Sequence, residues 1–252
     1  LSSAASDVYK RQVLKFLKKL RGDKNKVTGG EKQMAILRQI PKVLKFIPGK
    51  AQDLRAYFLS MQYWLAGSEE NIESLFCYLL SRYSSLHNSS KVEIKSPVEY
   101  PETGLYHPDI PKKITENISE IPFAKHSIGT VGLLLMRSYV LSGDTAHYDQ
   151  VIRSLESQGL NVIPAFAAGL DARPAINKYF VQNAKASIDT FLSLTGFSLV
   201  GGPAYNSSKA AEEALAELDV PYIAAHAIEF QNLNQWDKSD GGLNPIETTI
   251  LV

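Results

Sequence analysis

The stretch TVGLLLMRSYVLSGDTAHYDQVI, residues 130–152, places a short buried strand directly before an amphipathic helix. Val131 to Arg137 is apolar over the length of a strand, which is typical of a strand covered on both faces. Thr145 to Gln158 carries apolar residues at helical spacing, and Gly159 ends the helix. This order of strand, turn and helix decides the fold, because it repeats along the rest of the chain.

The alternation continues as far as residue 225. It predicts further strands and helices, in chain order, at Val162–Phe166, Arg173–Phe180, Thr190–Leu194, Ser207–Leu218 and Tyr222–Ala225. Strands that alternate with helices favour a parallel sheet with right-handed crossovers and helices on both faces. The prediction is therefore an α/β fold with a flavodoxin-like or Rossmann-like parallel sheet domain.

Residues 13–86 predict a helical subdomain before the sheet. Pro48 and Gly49 separate two helices, and Ser68 followed by Glu69 and Glu70 is a typical start for a third. Apolar residues at steps of three and four predict the buried stripes of these helices, which are Met34, Leu37, Ile40, Leu44 and Ile47, then Leu54, Tyr57, Phe58, Met61, Trp64 and Leu65, then Ile72, Leu75, Phe76, Leu79 and Tyr83.

Residues 87–128 lose this periodicity, and their prolines interrupt any long helix or central strand. The predicted organisation is a sequencing artefact at 1–12, a helical subdomain at 13–86, a proline-rich connection at 87–128 and an α/β domain at 129–252. Residues 245–252 alternate like a strand and stop without a polar tail. We therefore expect an internal fragment of a longer protein, with the α/β domain truncated at its C-terminus.

The charge is balanced over the whole chain, with a net charge of +1, which favours no nucleic-acid partner. Residues 1–50 nevertheless hold 13 of the 27 Lys and Arg and only 3 of the 26 Asp and Glu. This basic part predicts either a solvated helix face or a docking surface. Cys77 is the single cysteine, and no apolar run is long enough to cross a membrane, so a reducing cytoplasm is expected.

Ligands of open α/β sheets bind outside the carboxyl ends of the strands. The turns predicted there are Ser138–His147, Gly169–Arg173, Thr195–Gly202 and His226–Glu229. Gly196, Gly201 and Gly202 are candidate substrate-binding residues, because glycine lets a ligand approach the backbone, although tight turns of the fold also require glycine. The chain lacks both the dinucleotide fingerprint and the Gly-Lys-Ser/Thr phosphate loop, so ATP is not expected to bind to it directly.

Three more side chains are candidates for substrate binding. Asp171 and Arg173 follow the second strand, where Asp171 fits a helix cap and Arg173 fits either a partner for a nearby carboxylate or a two-pronged site for an anionic ligand. His107 stands between an aromatic residue and a carboxylate, which suits a pocket, although a loop histidine held by the backbone is the simpler interpretation. The histidine spacing and the lone cysteine indicate no metal site.

Several long strings resemble one family. GLNVIPAFAAGLDARPAI at 159–176, IDTFLSLTGFSLVGGPA at 188–204, ETGLYHPDIP at 102–111 and residues 38–68 are similar to the large porphyrin-binding H subunit of magnesium chelatase, of the bacteriochlorophyll type. The resemblance covers residues 13–252.

The resemblance implies binding of protoporphyrin IX and insertion of Mg2+, the substrate ion, in chlorophyll or bacteriochlorophyll biosynthesis. It also implies two smaller AAA+ type partner subunits, which bind and hydrolyse the ATP. The acid and base residues of the family align downstream of Val252, so no catalytic residue is assigned to this chain. The alternatives are the large subunit of cobaltochelatase, from cobalamin biosynthesis, and a scaffold or docking segment without chemistry of its own.

Overall fold

A computed structural model describes residues 39–45, 47–49, 51–84, 94–196, 198–202, 205–228 and 230–251. The segment 1–12 and most of the basic segment 13–50, with Met34 and Leu37, lie outside the described residues. The chain divides into two units, one that ends at Glu99 and one that begins at Tyr100. The domain boundaries predicted at residues 12, 86 and 128 stay predictions.

The first unit is helical. It contains a helix whose described part spans residues 39–44, then α1 (Ala51–Ala66) and α2 (Glu69–Tyr83). Ser68 caps α2 as predicted, because its side chain accepts a hydrogen bond from the backbone N–H of Asn71. The buried Asn71 side chain also exchanges two hydrogen bonds with the backbone of Val98, at 2.9 and 3.0 Å. These bonds fix the end of the unit against α2.

The helix α1 buries a different face from the one that its spacing predicted. Ala56 and Tyr63 are buried, whereas Tyr57, Trp64 and Leu65 are exposed. The Tyr63 hydroxyl donates to the carbonyl of Lys95 at 2.5 Å, and its ring meets Tyr78 of α2 at a centroid distance of 6.3 Å. Large apolar residues occur on several sides of α1, so spacing alone could not select the face that packs. The stripe predicted for α2 is wrong in the same way at Phe76 and Tyr83, which are both exposed.

The second unit is built on a six-stranded sheet. Its strands are β1 (Thr103–Tyr106), β2 (Ile114–Thr115), β3 (Gly129–Met136), β4 (Leu160–Ala167), β7 (Thr190–Ser193) and β10 (Tyr222–Ala224), in the spatial order β10-β7-β3-β4-β1-β2. Two small hairpins, β5 (Val181–Gln182) with β6 (Lys185–Ala186) and β8 (Gly201–Gly202) with β9 (Tyr205–Asn206), lie outside it. The helices are α3 (Arg137–Ser142), α4 (Ala146–Ser157), α5 (Arg173–Tyr179), α6 (Ser208–Leu218), α7 (Leu233–Asp237) and α8 (Pro245–Leu251).

The four strands predicted by the alternation are parallel and form the middle and one edge of the sheet. The chain passes from β3 to β4 on one side, and then crosses back to β7 on the other side of β3. The strand order therefore reverses at β3. In open α/β sheets, such a reversal opens a crevice at the carboxyl ends of the two diverging strands.

The side chains of β3 alternate between two apolar layers, as the period of a strand requires. Leu133 and Leu135 pack with Tyr148 and Ile152 of α4 on one face. Leu134 packs on the other face, in a cluster that includes residues of α5 and α6. Both faces of the sheet are covered, which confirms the predicted α/β class with helices followed by a mostly parallel sheet.

Three elements differ from the sequence prediction. The proline-rich connection supplies β1 and β2, and the sheet is mixed because β1 runs antiparallel to β4. The helix α3 follows β3 directly, where only a turn was predicted. Residues 245–252 were predicted as a strand, and this is wrong: Pro245–Leu251 is α8, whose first turn is held by the Asn244 side chain, which accepts from the backbone N–H groups of Ile246 and Glu247 at 2.9 Å.

Gly104 allows β1 to pack closely on β4. A Cβ at this position would lie 2.5 Å from the ring tip of Phe166, which is fully buried. We expect Gly104→Ala to lower the free energy of unfolding by about 1–3 kcal/mol, because the core has no room for the extra carbon. Urea denaturation of the chain measures this change. Gly241→Ala is the control, since its Cβ would have no neighbour closer than 4.0 Å, and an equal loss in both variants would contradict the packing argument.

Candidate functional site

A cavity of about 830 Å³ lies at the carboxyl ends of β3, β7 and β10. Met136 at the end of β3, Leu194 to Gly196 after β7, and His226 after β10 contribute to its lining. This is the crevice that the reversal of strand order at β3 predicts. Its volume lies within the range of about 300–1,000 Å³ that is usual for small-molecule and cofactor sites.

One wall of the cavity is aromatic and firmly packed. Tyr139 comes from α3, and His147 and Tyr148 come from the first turn of α4. The His147 ring lies 3.9 Å from the Tyr148 ring and 5.4 Å, edge-on, from the Tyr139 ring. The Tyr148 hydroxyl accepts a hydrogen bond from the backbone N–H of Met136 at 3.1 Å. These contacts tie the aromatic wall to the end of the central strand.

A second part of the cavity lining depends on a glycine. Gly196 has a φ of +68°, and a Cβ on it would lie 2.5 Å from Nδ1 of His226 and 2.7 Å from Cε1. Only glycine therefore allows the imidazole to lie against the backbone of this turn. Gly196 is thus the predicted candidate that the structure places in the cavity wall, through its contact with His226.

The cavity is mainly apolar and aromatic, with a few polar groups such as Ser138, Asp144 and Thr195. In the part of the chain that the structure describes, no hydrogen bond engages the imidazole of His147 or of His226. The described residues contain no group of three or more His, Cys, Asp or Glu side chains that could hold a metal ion. The apolar and aromatic lining suits an organic molecule.

Asp171 and Arg173 form a closed ion pair in the neighbouring turn, after β4. The Arg173 guanidinium donates to both carboxylate oxygens of Asp171, with a shortest distance of 2.6 Å, and the Arg173 backbone N–H donates to Oδ1 at 3.0 Å. The guanidinium hydrogen bonds hold the pKa of the Asp171 carboxyl below its ordinary range. Both side chains stay more than one third exposed. An anionic ligand would have to compete with Asp171 for the guanidinium.

Gly201 lies beside this ion pair. Its backbone N–H donates to the carbonyl of Leu170 at 2.6 Å, and Asp171 forms an isolated antiparallel bridge with Val200. Gly201 has a φ of +103° and pairs, together with Gly202, with the following strand β9. The two turns after β4 and β7 are thus connected, and both glycines belong to this connection.

His107 lies at the other edge of the sheet, because β1 runs antiparallel to β4. Its side chain is completely buried, and Nδ1 accepts from the backbone N–H of Asp109 at 3.2 Å. Nε2 therefore carries the proton and donates to Glu156 at 3.0 Å. Arg153 pairs with both Asp109 and Glu156 and completes the network. Both nitrogens of His107 are thus hydrogen-bonded, and the bond from Nε2 connects the end of β1 to α4.

The structure thus distributes the predicted residues over three places. Gly196 lines the cavity, while Asp171, Arg173, Gly201 and Gly202 form the neighbouring connection. His107 is separate from both. The aromatic and imidazole residues of the cavity lie within the predicted turns 138–147 and 226–229 or directly after one of them, but no sequence pattern selected them individually. The only signal was the density of Tyr and His after β3.

Among the described residues, no helix is long and apolar enough to span a membrane.

Comparisons with known proteins agree on one family. A family model described as CobN/Magnesium Chelatase matches residues 61–252, and a domain of unknown function, DUF3479, matches residues 4–58. The magnesium-chelatase H subunit of Cereibacter sphaeroides is 59% identical over 238 residues, which cover 94% of this chain and 20% of that protein. The chloroplastic magnesium-chelatase ChlH subunit of Oryza sativa subsp. indica is 35% identical over 251 residues, which cover 94% of this chain and 18% of that protein.

A solved structure, the catalytic subunit of cobaltochelatase from Mycobacterium tuberculosis, is similar in fold. The TM-score is 0.52 at 21% sequence identity, over 76% of this chain and 15% of that chain. The chain spans about a fifth of the length of the curated relatives described above.

The closed ion pair predicts a titration that can be measured. We expect Arg173→Met to raise the pKa of the Asp171 carboxyl towards its ordinary range, because the hydrogen bonds that favour the carboxylate are lost. Carbon NMR of the labelled carboxyl group against pH measures this pKa. Lys178→Met, on the same helix, removes a cation that pairs with Glu116 and should leave Asp171 unchanged. An unchanged titration in Arg173→Met would show that the ion pair does not form in solution.

Proposed function

The chain belongs to the CobN/magnesium chelatase family, and we propose that it is part of the large H subunit of a magnesium chelatase. The observation that carries this proposal is the identity of 59% to a magnesium-chelatase H subunit over 94% of the chain. In the proposed reaction, the complete subunit binds protoporphyrin IX and inserts Mg2+ into it. We propose the bacteriochlorophyll branch, as the family resemblance implies.

The cobaltochelatase alternative has less support. The similarity to the cobaltochelatase subunit is 21% in sequence and concerns the fold, whereas the identity to the magnesium enzyme is 59%. We therefore keep magnesium insertion as the proposed activity. The acid and base residues for this step are proposed to lie outside the chain, as the family resemblance implies.

The chemistry explains why such a subunit needs partners. Mg2+ loses its water ligands reluctantly, and the porphyrin must release two pyrrole protons before it can take up the ion. We propose that the energy comes from ATP that two smaller partner subunits bind and hydrolyse, because this chain has no phosphate-binding loop. The lone cysteine is consistent with a reducing cytoplasm as the site of action.

The cavity at the carboxyl ends of β3, β7 and β10 is the proposed contact for the porphyrin. Aromatic rings of Tyr139 and Phe230 supply flat apolar surface for a macrocycle. Arg173 lies at the same edge of the sheet, after the adjacent strand β4, and its guanidinium suits the propionate groups. In this proposal a propionate displaces Asp171 from the guanidinium.

A porphyrin titration of the chain tests this proposal. Binding of a water-soluble dicarboxylate porphyrin should quench the fluorescence of Trp64 or Trp236 and shift the porphyrin absorption band. We expect Arg173→Gln to weaken binding of the dicarboxylate about tenfold or more and to leave its dimethyl ester unaffected, because only the free acid pairs with a guanidinium. Asp171→Asn should strengthen binding of the dicarboxylate, because it releases the guanidinium from its internal partner.

Lys178→Gln is the matched control, since it removes a cation of the same helix that pairs with Glu116. If Arg173→Gln weakened binding of the free acid and of the dimethyl ester equally, the guanidinium would not bind the propionate groups. Absence of any saturable binding by the folded chain would remove the porphyrin contact from this part of the subunit and leave the scaffold alternative.

The basic helical segment is the proposed docking surface for the ATPase subunits. Lys42 and Lys45, the described members of this segment, are both exposed beside the buried Leu44. We expect the double variant Lys42→Glu and Lys45→Glu to reduce capture of the ATPase subunits in a pull-down, because it reverses two charges of the surface. The control reverses Lys209 and Lys238, which are exposed in the second unit. Unchanged capture would contradict the docking role.

A further inference from the structure

The side chains of His107, His147 and His226 differ in whether their ring nitrogens form hydrogen bonds. Both nitrogens of the buried His107 have partners, as its structural role requires. His147 and His226 line the cavity, and neither imidazole forms a hydrogen bond among the described residues. An imidazole at a cavity wall that forms no hydrogen bond within the protein is available to bind a ligand. Among neutral side chains, imidazole is the commonest metal ligand in proteins.

His226 is better placed than His147 to bind a metal ion of a ligand. The edge of its ring that contains Nδ1 and Cε1 lies against Gly196, whose φ of +68° and missing Cβ make this contact possible. Nδ1 therefore lies close to the backbone of this turn, and Nε2 is the ring nitrogen that remains for a ligand. His147, in contrast, is packed between Tyr139 and Tyr148 and forms part of the aromatic wall.

A porphyrin changes its chemistry when it receives magnesium. The metal-free macrocycle offers no site for the lone pair of an imidazole nitrogen at its centre. In the metallated macrocycle, four pyrrole nitrogens hold the Mg2+, and its preference for octahedral coordination leaves positions open above and below the ring plane. A neutral imidazole beside the ring can thus distinguish the two forms.

We infer that Nε2 of His226 is an axial ligand for the magnesium of the metallated porphyrin, so that the cavity holds the product of insertion more tightly than the metal-free substrate. This inference rests on the proposed porphyrin contact. The interaction forms one coordinate bond from the nitrogen lone pair to the metal and displaces at most one water molecule. His226 is then a residue that retains the product until it is handed on, and not a residue of the insertion step.

The test compares three forms of one water-soluble porphyrin, which are metal-free, zinc-loaded and nickel-loaded. Zinc accepts an axial imidazole, whereas nickel favours a square-planar geometry without one. We expect the wild-type chain to bind the zinc form at least about tenfold more tightly than the other two, the effect of roughly 1.4 kcal/mol. The magnesium form should behave as the zinc form. His226→Ala should bind all three with similar affinity.

The absorption band of the zinc porphyrin gives an independent readout, because axial coordination shifts it. This shift should be absent in His226→Gly and should return when free imidazole is added at a concentration that leaves the band of the porphyrin without protein unshifted, which a purely structural role of His226 would not produce. His126→Ala, at an exposed position outside the cavity lining, is the control and should behave as the wild type.

The outcomes separate this inference from the function on which it rests. Binding of the metal-free porphyrin without a preference for zinc overturns the axial ligand and leaves the porphyrin contact intact. Loss of the zinc preference in His147→Ala, together with its retention in His226→Ala, overturns the assignment to His226. Failure of the folded chain to bind any of the three porphyrins overturns the porphyrin contact and the axial ligand together.

Discussion

The pairing of β3 with β4 on one side and β7 on the other is the constraint on which the second unit depends. Eight residues of β3 are in register with β4 and four with β7, so the three strands end close together in space. The crossover from β4 back to β7 then reverses the strand order at β3. Any ligand site of this sheet is directed to that point, because the turns diverge there and leave room between them. The cavity, the Gly196 turn and the ion pair of Asp171 with Arg173 all follow from this arrangement.

The sequence predicted the parts of the fold that rest on local patterns. The strands β3, β4, β7 and β10 and the helices α4, α5 and α6 were predicted nearly to the residue, because apolar runs and helical periodicity specify them locally. The strand β1 was missed, since its pairing with β4 joins residues about 60 positions apart and prolines surround it. The buried face of α1 was wrong for a related reason. Tyr63 is held by the carbonyl of Lys95, a contact that periodicity does not contain.

The candidate site shows the same division between local and distant information. The sheet rule pointed to turns that contribute to the cavity, and Gly196, predicted to let a ligand approach the backbone, contacts the imidazole of His226 there. The role of its neighbour His226 could not be predicted, because it depends on β10 lying beside β7. His107 was selected for the residues that flank it, but the antiparallel direction of β1 carries it to the far edge of the sheet. The residue types around His107 suggested a pocket, but the direction of β1 determines where His107 lies in the fold.

The helix α4 is attached to β1 at two points, and this attachment has a mechanical consequence for the cavity. The Tyr106 hydroxyl donates to Asp149 at 2.6 Å, and His107 donates to Glu156 two helical turns further on. The burial of Tyr106 raises the pKa of its hydroxyl to about 12, so the first link keeps its proton through the neutral range. The wall with His147 and Tyr148 therefore belongs to a helix held at two points, whereas the side chains of Ile228 and Phe230 are 37% and 57% exposed. An incoming molecule therefore meets a helix that is fixed at two points on one side of the cavity, and the less constrained side chains of Ile228 and Phe230 elsewhere in the lining.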